Sequence, residues 1–218
     1  MNFLDTILDI IFPATCMACG KKAEDLCREC LLSSPLALRE CADWIFPLFD
    51  YRHIPVKKSI RLLKYKGRKK LAKVFAEVLH DKIVEELSEL SVMQNFREPI
   101  LIPIPLSKKR HRERGYNQAE LICKELIKLD SKPENNFILA KDVLIKTKET
   151  EHQANIKDRR DRLKNLFGSF AVKNEEIIKN RNVILIDDVI TTGATLNEAR
   201  KILKKSGAKK VIAFTVAH

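Results

Sequence analysis

Along residues 55–218 the apolar positions follow two alternating periods. Leu71, Val74, Phe75, Val78, Ile83, Leu87 and Leu90 recur every three or four residues, which predicts an amphipathic helix after a break at Gly67. ILIPIP (100–105) is an apolar run stopped by prolines and reads as a strand, and Asn117 to Leu129 returns to helical spacing. Short β-rich runs follow at 143–145 and 166–172, then VILIDDV (183–189), a helix from about 194 to Ser206, and VIAFTVA (211–217), with Gly207 as the helix C-cap. Strands this uniformly apolar are covered on both faces. The expected class is therefore α/β, a central and mainly parallel sheet flanked by helices.

The beginning of the chain is different. Phe3, Leu4, Ile7, Leu8 and Ile11 have helical spacing up to Pro13. Asp5 and Asp9 on the polar face argue against an anionic membrane surface, so packing against the rest of the protein is the better reading. Next come CMAC and CREC, two CxxC pairs formed by Cys16, Cys19, Cys27 and Cys30. In a reducing compartment such pairs are metal ligands sooner than disulfides or free thiols. Four thiolates can close a tetrahedron around zinc and leave no open position for water, so the expected role is structural. Cys123 falls in a helical pattern as a small buried hydrophobe, and Cys41 has no evident place. The division expected is 1–45, a helix and four-cysteine zinc-binding segment, and 46–218, the α/β domain.

A chain of 218 residues, 45% of them hydrophobic, can build one such core with a small appendage. Charge narrows the partners: 41 basic against 29 acidic residues leave +12, which suits phosphorylated metabolites, nucleic acid or a membrane surface. No apolar run is long enough to span a bilayer, and the N-terminus lacks the basic flank and small-residue cleavage site of a signal peptide. A cytoplasmic location is expected.

The most informative stretch is VILIDDVITTGATLNEA (183–199), in which two aspartates crown a strand. In parallel sheets ligands bind beyond the carboxyl ends of the strands. Asp187 and Asp188 lie at that edge, and the TTGAT turn that follows can converge backbone N–H groups on a phosphate at a helix N-terminus. Thr191, Thr192 and Thr195 add hydroxyl donors, and Gly193 allows close approach. Carboxylates repel a phosphate in contact but suit ribose hydroxyls and magnesium. A phosphorylated sugar would thus set its phosphate in the loop and its diol against the aspartates.

VILIDDVITTGAT resembles the phosphoribosyl-pyrophosphate (PRPP) signature of type I phosphoribosyltransferases. Together with the CxxC pairs, LKYKGRKKLA (63–72), PIPLSKKRHRERGYNQAEL (103–121) and HQANIKDRRDRLKNLFGSF (152–170) resemble the ComF/ComFC competence family, linked to DNA uptake in natural transformation. Many relatives carry further CxxC pairs, where this chain retains only Cys41. The resemblance implies a type I phosphoribosyltransferase-like fold with an N-terminal zinc knuckle. It makes Asp187 and Asp188 the ribose-binding pair and the catalytic candidates, and Thr191, Thr192, Gly193, Ala194 and Thr195 the 5′-phosphate loop. It puts a pyrophosphate loop around Leu106 to Lys109, including Ser107 and Lys108, with Arg110, Arg112 and Arg114 close by. Lys146 to Arg162 would form a hood, and Lys64 and Arg160 are further PRPP candidates. Relatives that salvage oxopurines have an acid at the position of Thr191, so ordinary hypoxanthine or guanine salvage is not expected and the acceptor stays open.

Two readings follow. One is a transferase that binds magnesium–PRPP and passes phosphoribose to an acceptor. The other is a DNA-uptake factor that binds single-stranded DNA and keeps a non-catalytic PRPP-sensing site, with other DNA-uptake proteins as further partners. Basic clusters at 57–73, 108–114 and 157–164 would contact phosphates, and Tyr65, Tyr116 and Phe167 are the candidate stacking rings.

Overall fold

A computed structural model describes residues 14–22, 24–38, 41–130, 137–147 and 168–218. The expected helix at 3–11, the basic cluster at 157–164, Arg160, Phe167 and nearly all of the expected hood lie outside them.

The apolar runs form a five-stranded sheet, parallel throughout. Its strands are β1 (Ile45–Phe49), β2 (Ile100–Pro103), β3 (Ile138–Leu139), β6 (Asn182–Val189) and β7 (Lys210–Ala217), in the order β1-β7-β6-β2-β3. The expected strands at 143–145 and 166–172 do not join it. They appear as β4 (Leu144–Lys146) and β5 (Phe170–Val172), a separate antiparallel pair. The helices are α1 (Arg28–Leu32), α2 (Ile54–Tyr65), α3 (Leu71–Gln94), α4 (Lys108–Arg114), α5 (Gln118–Leu129) and α6 (Ala194–Lys205). Gly207 is one residue beyond the C-cap of α6, with φ +95°, and Ala208 N–H returns to the Leu203 carbonyl at 3.0 Å. That left-handed turn is open to glycine without a Cβ penalty.

Strand alternation sorts the core into two layers. Leu101, Ile184, Ile186, Ile212 and Phe214 face α2, α3 and α5. Ile100, Ile102, Val183, Leu185 and Val211 face α6 and the β4–β5 pair. The four-cysteine segment belongs to the first layer: Cys16, Leu26, Cys27 and Leu31 are buried in the same cluster as α3, and Arg28 pairs with Asp81 of α3 at 2.6 Å. Burial of Leu26 and Leu31 contributes roughly 2 kcal/mol each to that docking.

The chain also turns at a useful place. β6 passes through α6 to β7 on one side, whereas β2 passes through α4 and α5 to β3 on the other. β2 and β6 are neighbours, so their outgoing loops part and leave a crevice at the carboxyl edge of the sheet.

Candidate phosphoribosyl cleft and four-cysteine cluster

The crevice is a cleft of about 340 Å³. The exit of β2 supplies Ile104, Pro105, Leu106 and Ser107, and the exit of β6 supplies Asp187, Asp188, Val189, Thr191 and Thr195. α2 brings Lys64 and Tyr65, α4 brings Arg110 and Arg114, and Lys146 enters from the end of β4. Of the residues singled out in the sequence, Lys64, Ser107, Arg110, Arg114, Asp187, Asp188, Thr191 and Thr195 line one space. Lys108 is exposed in the first turn of α4 and does not line it, nor do Thr192, Gly193 and Ala194.

The two aspartates are not equivalent. Val189 and Asp187 are in register with β7, so the strand continues through the acidic pair and consecutive side chains point to opposite faces. Although both aspartates lie at the carboxyl edge of the sheet, Asp188 is only 6% exposed and accepts from Lys64 Nζ at 2.8 Å. Burial alone would discharge Lys64. The Asp188 carboxylate, its hydrogen bond and the nearby Asp187 charge outweigh that, and the lysine's pKa is raised. Asp187 accepts from the Asp188 N–H at 2.8 Å. Burial and the neighbouring Asp188 charge push its carboxyl up to about 7, against the pull of Lys64. One firmly paired carboxylate thus lies beside one that titrates near neutrality.

Past the acids, the backbone turns at Gly193, whose φ is +72°. A Cβ there would come within 3.4 Å of Asn197 Nδ2 and 3.6 Å of Ile190 Cδ1, so the loop is closely backed where α6 begins. Ala194 N–H donates to Thr192 Oγ1 at 3.4 Å. Across the cleft the expected pyrophosphate loop is shorter than its sequence suggests. Ser107 is the buried N-cap of α4 and accepts from Arg110 N–H at 3.4 Å, so Lys108 and Lys109 are already helical. Arg114 donates to Gln118 Oε1 at 2.8 Å and stacks over the Tyr65 ring at 5.1 Å.

Sequence reasoning missed Tyr51, Asn117 and Gln118. Asn117 caps α5 by accepting from Ala119 N–H at 3.0 Å, and its Nδ2 donates to the Ile104 carbonyl at 2.9 Å, tying that helix to the β2 exit. An Asn before an apolar helical run is a readable cap signal, but nothing in it announces the second bond. Tyr116, a candidate stacking ring, instead donates its hydroxyl to the Leu63 carbonyl and packs against the core.

In the N-terminal segment, the Sγ atoms of Cys16, Cys19, Cys27 and Cys30 lie within 4.8 Å of one another. Cys19 and Cys27 are 3.8 Å apart, about the edge of a tetrahedron with 2.3 Å metal–sulfur bonds. Burial opposes the Cys16 thiolate, yet backbone N–H groups of Cys19, Cys27 and Ala18 bring it down to about 6. The thiols of Cys27 and Cys19 push Cys30 in the other direction. Four sulfurs so close cannot all ionise without a cation among them, and the donor set fits a metal ion such as zinc. Among the described residues no other such cluster occurs, and no helix is long and apolar enough to cross a membrane.

Comparison with known proteins bears on the cleft. Residues 114–218 match the phosphoribosyl transferase domain family. Competence protein F of Haemophilus influenzae is 41% identical over 117 residues, 54% of this chain and 49% of that protein. Competence protein ComFC of Bacillus subtilis is 29% identical over 209 residues, 92% and 76% of the two chains. DNA utilization protein YhgH of Escherichia coli K12 is 26% identical over 200 residues, 90% and 80%. The chain is thus similar to competence and DNA utilization proteins along most of its length. It spans about half the length of the Haemophilus relative and more of the other two. The phosphoribosyl transferase match contains the acidic pair, the TTGAT loop and Arg114. Lys64, Ser107, Arg110 and the cysteine cluster lie before it.

Proposed function

We propose that the cleft binds PRPP with magnesium and that the protein is a phosphoribosyltransferase-like component of DNA uptake. The 5′-phosphate would sit on Thr191–Thr195 at the N-terminus of α6, where backbone N–H groups and the helix dipole favour an anion. The ribose diol would meet Asp187 and Asp188. Pyrophosphate would lie toward Ser107, with Arg110 and Arg114 to neutralise the charge that grows on it as the glycosidic bond breaks. Magnesium, when bound with PRPP, would offset charge between the phosphates and the acidic pair. The observation that supports this reading most is the meeting of the two loops around one acidic pair at the β2–β6 crevice.

The role in DNA uptake is supported by the competence and DNA utilization relatives. The single-stranded DNA reading rests on a specific feature. Tyr65 is 55% exposed at the cleft mouth, Arg114 stacks on it, and Lys66, Arg68 and Lys69 are exposed beside it. Such a rim suits a strand of phosphates with a base on the ring. In this proposal zinc fills the cysteine cluster as a structural ion, the protein works in the cytoplasm, and other DNA-uptake proteins are further partners. The testing experiment is calorimetry with PRPP with and without magnesium, followed by pyrophosphate release across a panel of bases and oligonucleotides. Absence of PRPP binding in folded, zinc-loaded protein overturns the proposal, and binding without release selects the sensing site.

A further inference from the structure

We infer that His218 is a positioning residue for the Thr191–Thr195 loop, holding the Thr191 carbonyl through its Nε2–H while Cys41 fixes the tautomer of its ring. The inference rests on reading that loop as the 5′-phosphate site. Its structural half stands on contacts made by His218 and Cys41, two residues outside the PRPP signature.

The backbone of His218 is held on both sides. Its N–H donates to the Phe49 carbonyl at 2.9 Å, and its own carbonyl accepts from Tyr51 N–H at 3.0 Å. Beside it, Ile190 N–H donates to the Ala217 carbonyl at 3.0 Å, which brings the exit of β6 against the end of β7. The ring is therefore rooted where β1, β7 and the loop after β6 meet. Its Nε2 is 3.2 Å from the Thr191 carbonyl oxygen, and its Nδ1 is 3.2 Å from Cys41 Sγ.

The two contacts assign the protons. A backbone carbonyl only accepts, so Nε2 carries the hydrogen. In the neutral ring Nδ1 is then the acceptor, and the Cys41 thiol donates to it. Burial raises the Cys41 thiol's pKa, in keeping with a thiol that stays protonated. Cys41, without a place in the sequence reading, acquires one here.

The consequence lies in the peptide plane. The Thr191 carbonyl and the Thr192 N–H belong to one rigid unit and point in opposite directions, so fixing the carbonyl fixes where that N–H is aimed. Thr191 is exposed and follows the last ladder pair of β6, Val189 with Ala217. A loop released from His218 has more conformations to lose when a phosphate orders it, which weakens binding.

Four variants separate the roles: His218→Phe keeps a ring without a donor, His218→Gln keeps a side-chain N–H, Cys41→Ala removes the thiol, and Cys41→Ser restores a donor. Calorimetry with ribose 5-phosphate should show a loss of about tenfold for His218→Phe, a smaller loss for Cys41→Ala, and near wild-type affinity for His218→Gln and Cys41→Ser. Pyrophosphate affinity should be unchanged in all four. In ligand-free protein, the Thr192–Thr195 amides should exchange faster in His218→Phe alone of the two histidine variants. Unchanged ribose 5-phosphate binding in His218→Phe, or an equal loss for pyrophosphate, overturns the inference. If wild type binds no ribose 5-phosphate, the phosphate-loop reading fails, and the exchange data still decide: faster exchange sustains the restraint and unchanged exchange overturns it.

Discussion

The four-cysteine cluster and the cleft differ in how far along the chain each was gathered. All four sulfurs come from between Cys16 and Cys30, in two tight turns, and the segment is fastened to α3 by Leu26, Leu31 and the Arg28–Asp81 pair. The cleft draws Lys64 from α2, Ser107 and Arg110 from the start of α4, and the acidic pair and threonines from the exit of β6. A local site is defined by spacing and needs an ion to balance its charge. A site collected over most of the chain is defined by topology and carries its own balance, with Lys64 against Asp188. The first should fail all at once and the second by degrees.

The largest expected effect is therefore at the cluster. Purified protein should hold one zinc per chain, and Cys16→Ser/Cys19→Ser should lose it together with the roughly 10 kcal/mol or more that such an ion contributes to its local fold. Because Cys16, Leu26 and Leu31 share a core with α3, the thermal transition of the rest should fall as well. Metal analysis and calorimetry check both. Zinc-free, fully stable protein would contradict the proposed zinc site.

In the cleft the effects should be separable. Asp187→Asn/Asp188→Asn should weaken magnesium–PRPP binding by about 3–6 kcal/mol, an upper estimate since adjacent contacts are not additive. Asp187→Asn alone should keep the fold. Asp188→Asn leaves Lys64 poorly partnered and should cost about 3 kcal/mol of stability, the low end for a broken buried pair, because the cleft admits water. Adding Lys64→Met to it should recover most of that loss in a denaturant titration. A stable Asp188→Asn single variant would show that the pair is incidental.

Tyr65→Ala tests the rim. It should weaken oligonucleotide binding by about 1–3 kcal/mol and PRPP binding by less, since Arg114 loses the ring beneath it but keeps its bond to Gln118. The salt slope should stay as in wild type, since a ring and no charge is removed. Equal DNA affinity in the variant would move the DNA elsewhere or remove it.

The most gradual effect is a pH dependence. With the Asp187 carboxyl pushed up to about 7 from an ordinary 3.8, the folded protein holds a proton that the unfolded chain gives up. Stability should then fall as pH rises from about 4 to about 7 and level off above, the reverse of an ion-paired carboxylate. PRPP affinity should move the other way, rising at most tenfold per pH unit up to about 7, because the diol needs an acceptor. Both dependences should flatten in Asp187→Asn.

Several parts of this arrangement were legible in the chain and others were not. The central strands β2, β6 and β7 are apolar runs buried on both faces, and α3, α5 and α6 repeat at helical spacing. β1 escaped notice because an edge strand with Pro47 in it has neither a long apolar run nor clean alternation. β3 is two residues long. In α2, Val56, Ile60 and Leu63 form a readable stripe that its flanking lysines obscure. α4, KKRHRER, has no buried residue, and is marked only by its Ser107 cap and by Gly115 at φ +75°.

The sequence by itself determined what depends on neighbours along the chain. The four thiols within reach of one ion, the aspartates at a strand's end, and the TTGAT turn leading into a helix are set by covalent spacing and backbone preference. Only the tertiary structure decided which distant groups meet them. Lys64 reaches Asp188 because α2 packs over the sheet edge, Ser107 faces the threonine loop because β2 lies beside β6, and His218 reaches Thr191 because β7 ends between β1 and that loop. Those contacts depend on strand order, and strand order follows from the burial of two apolar layers, a property of the folded sheet that no single stretch of residues contains.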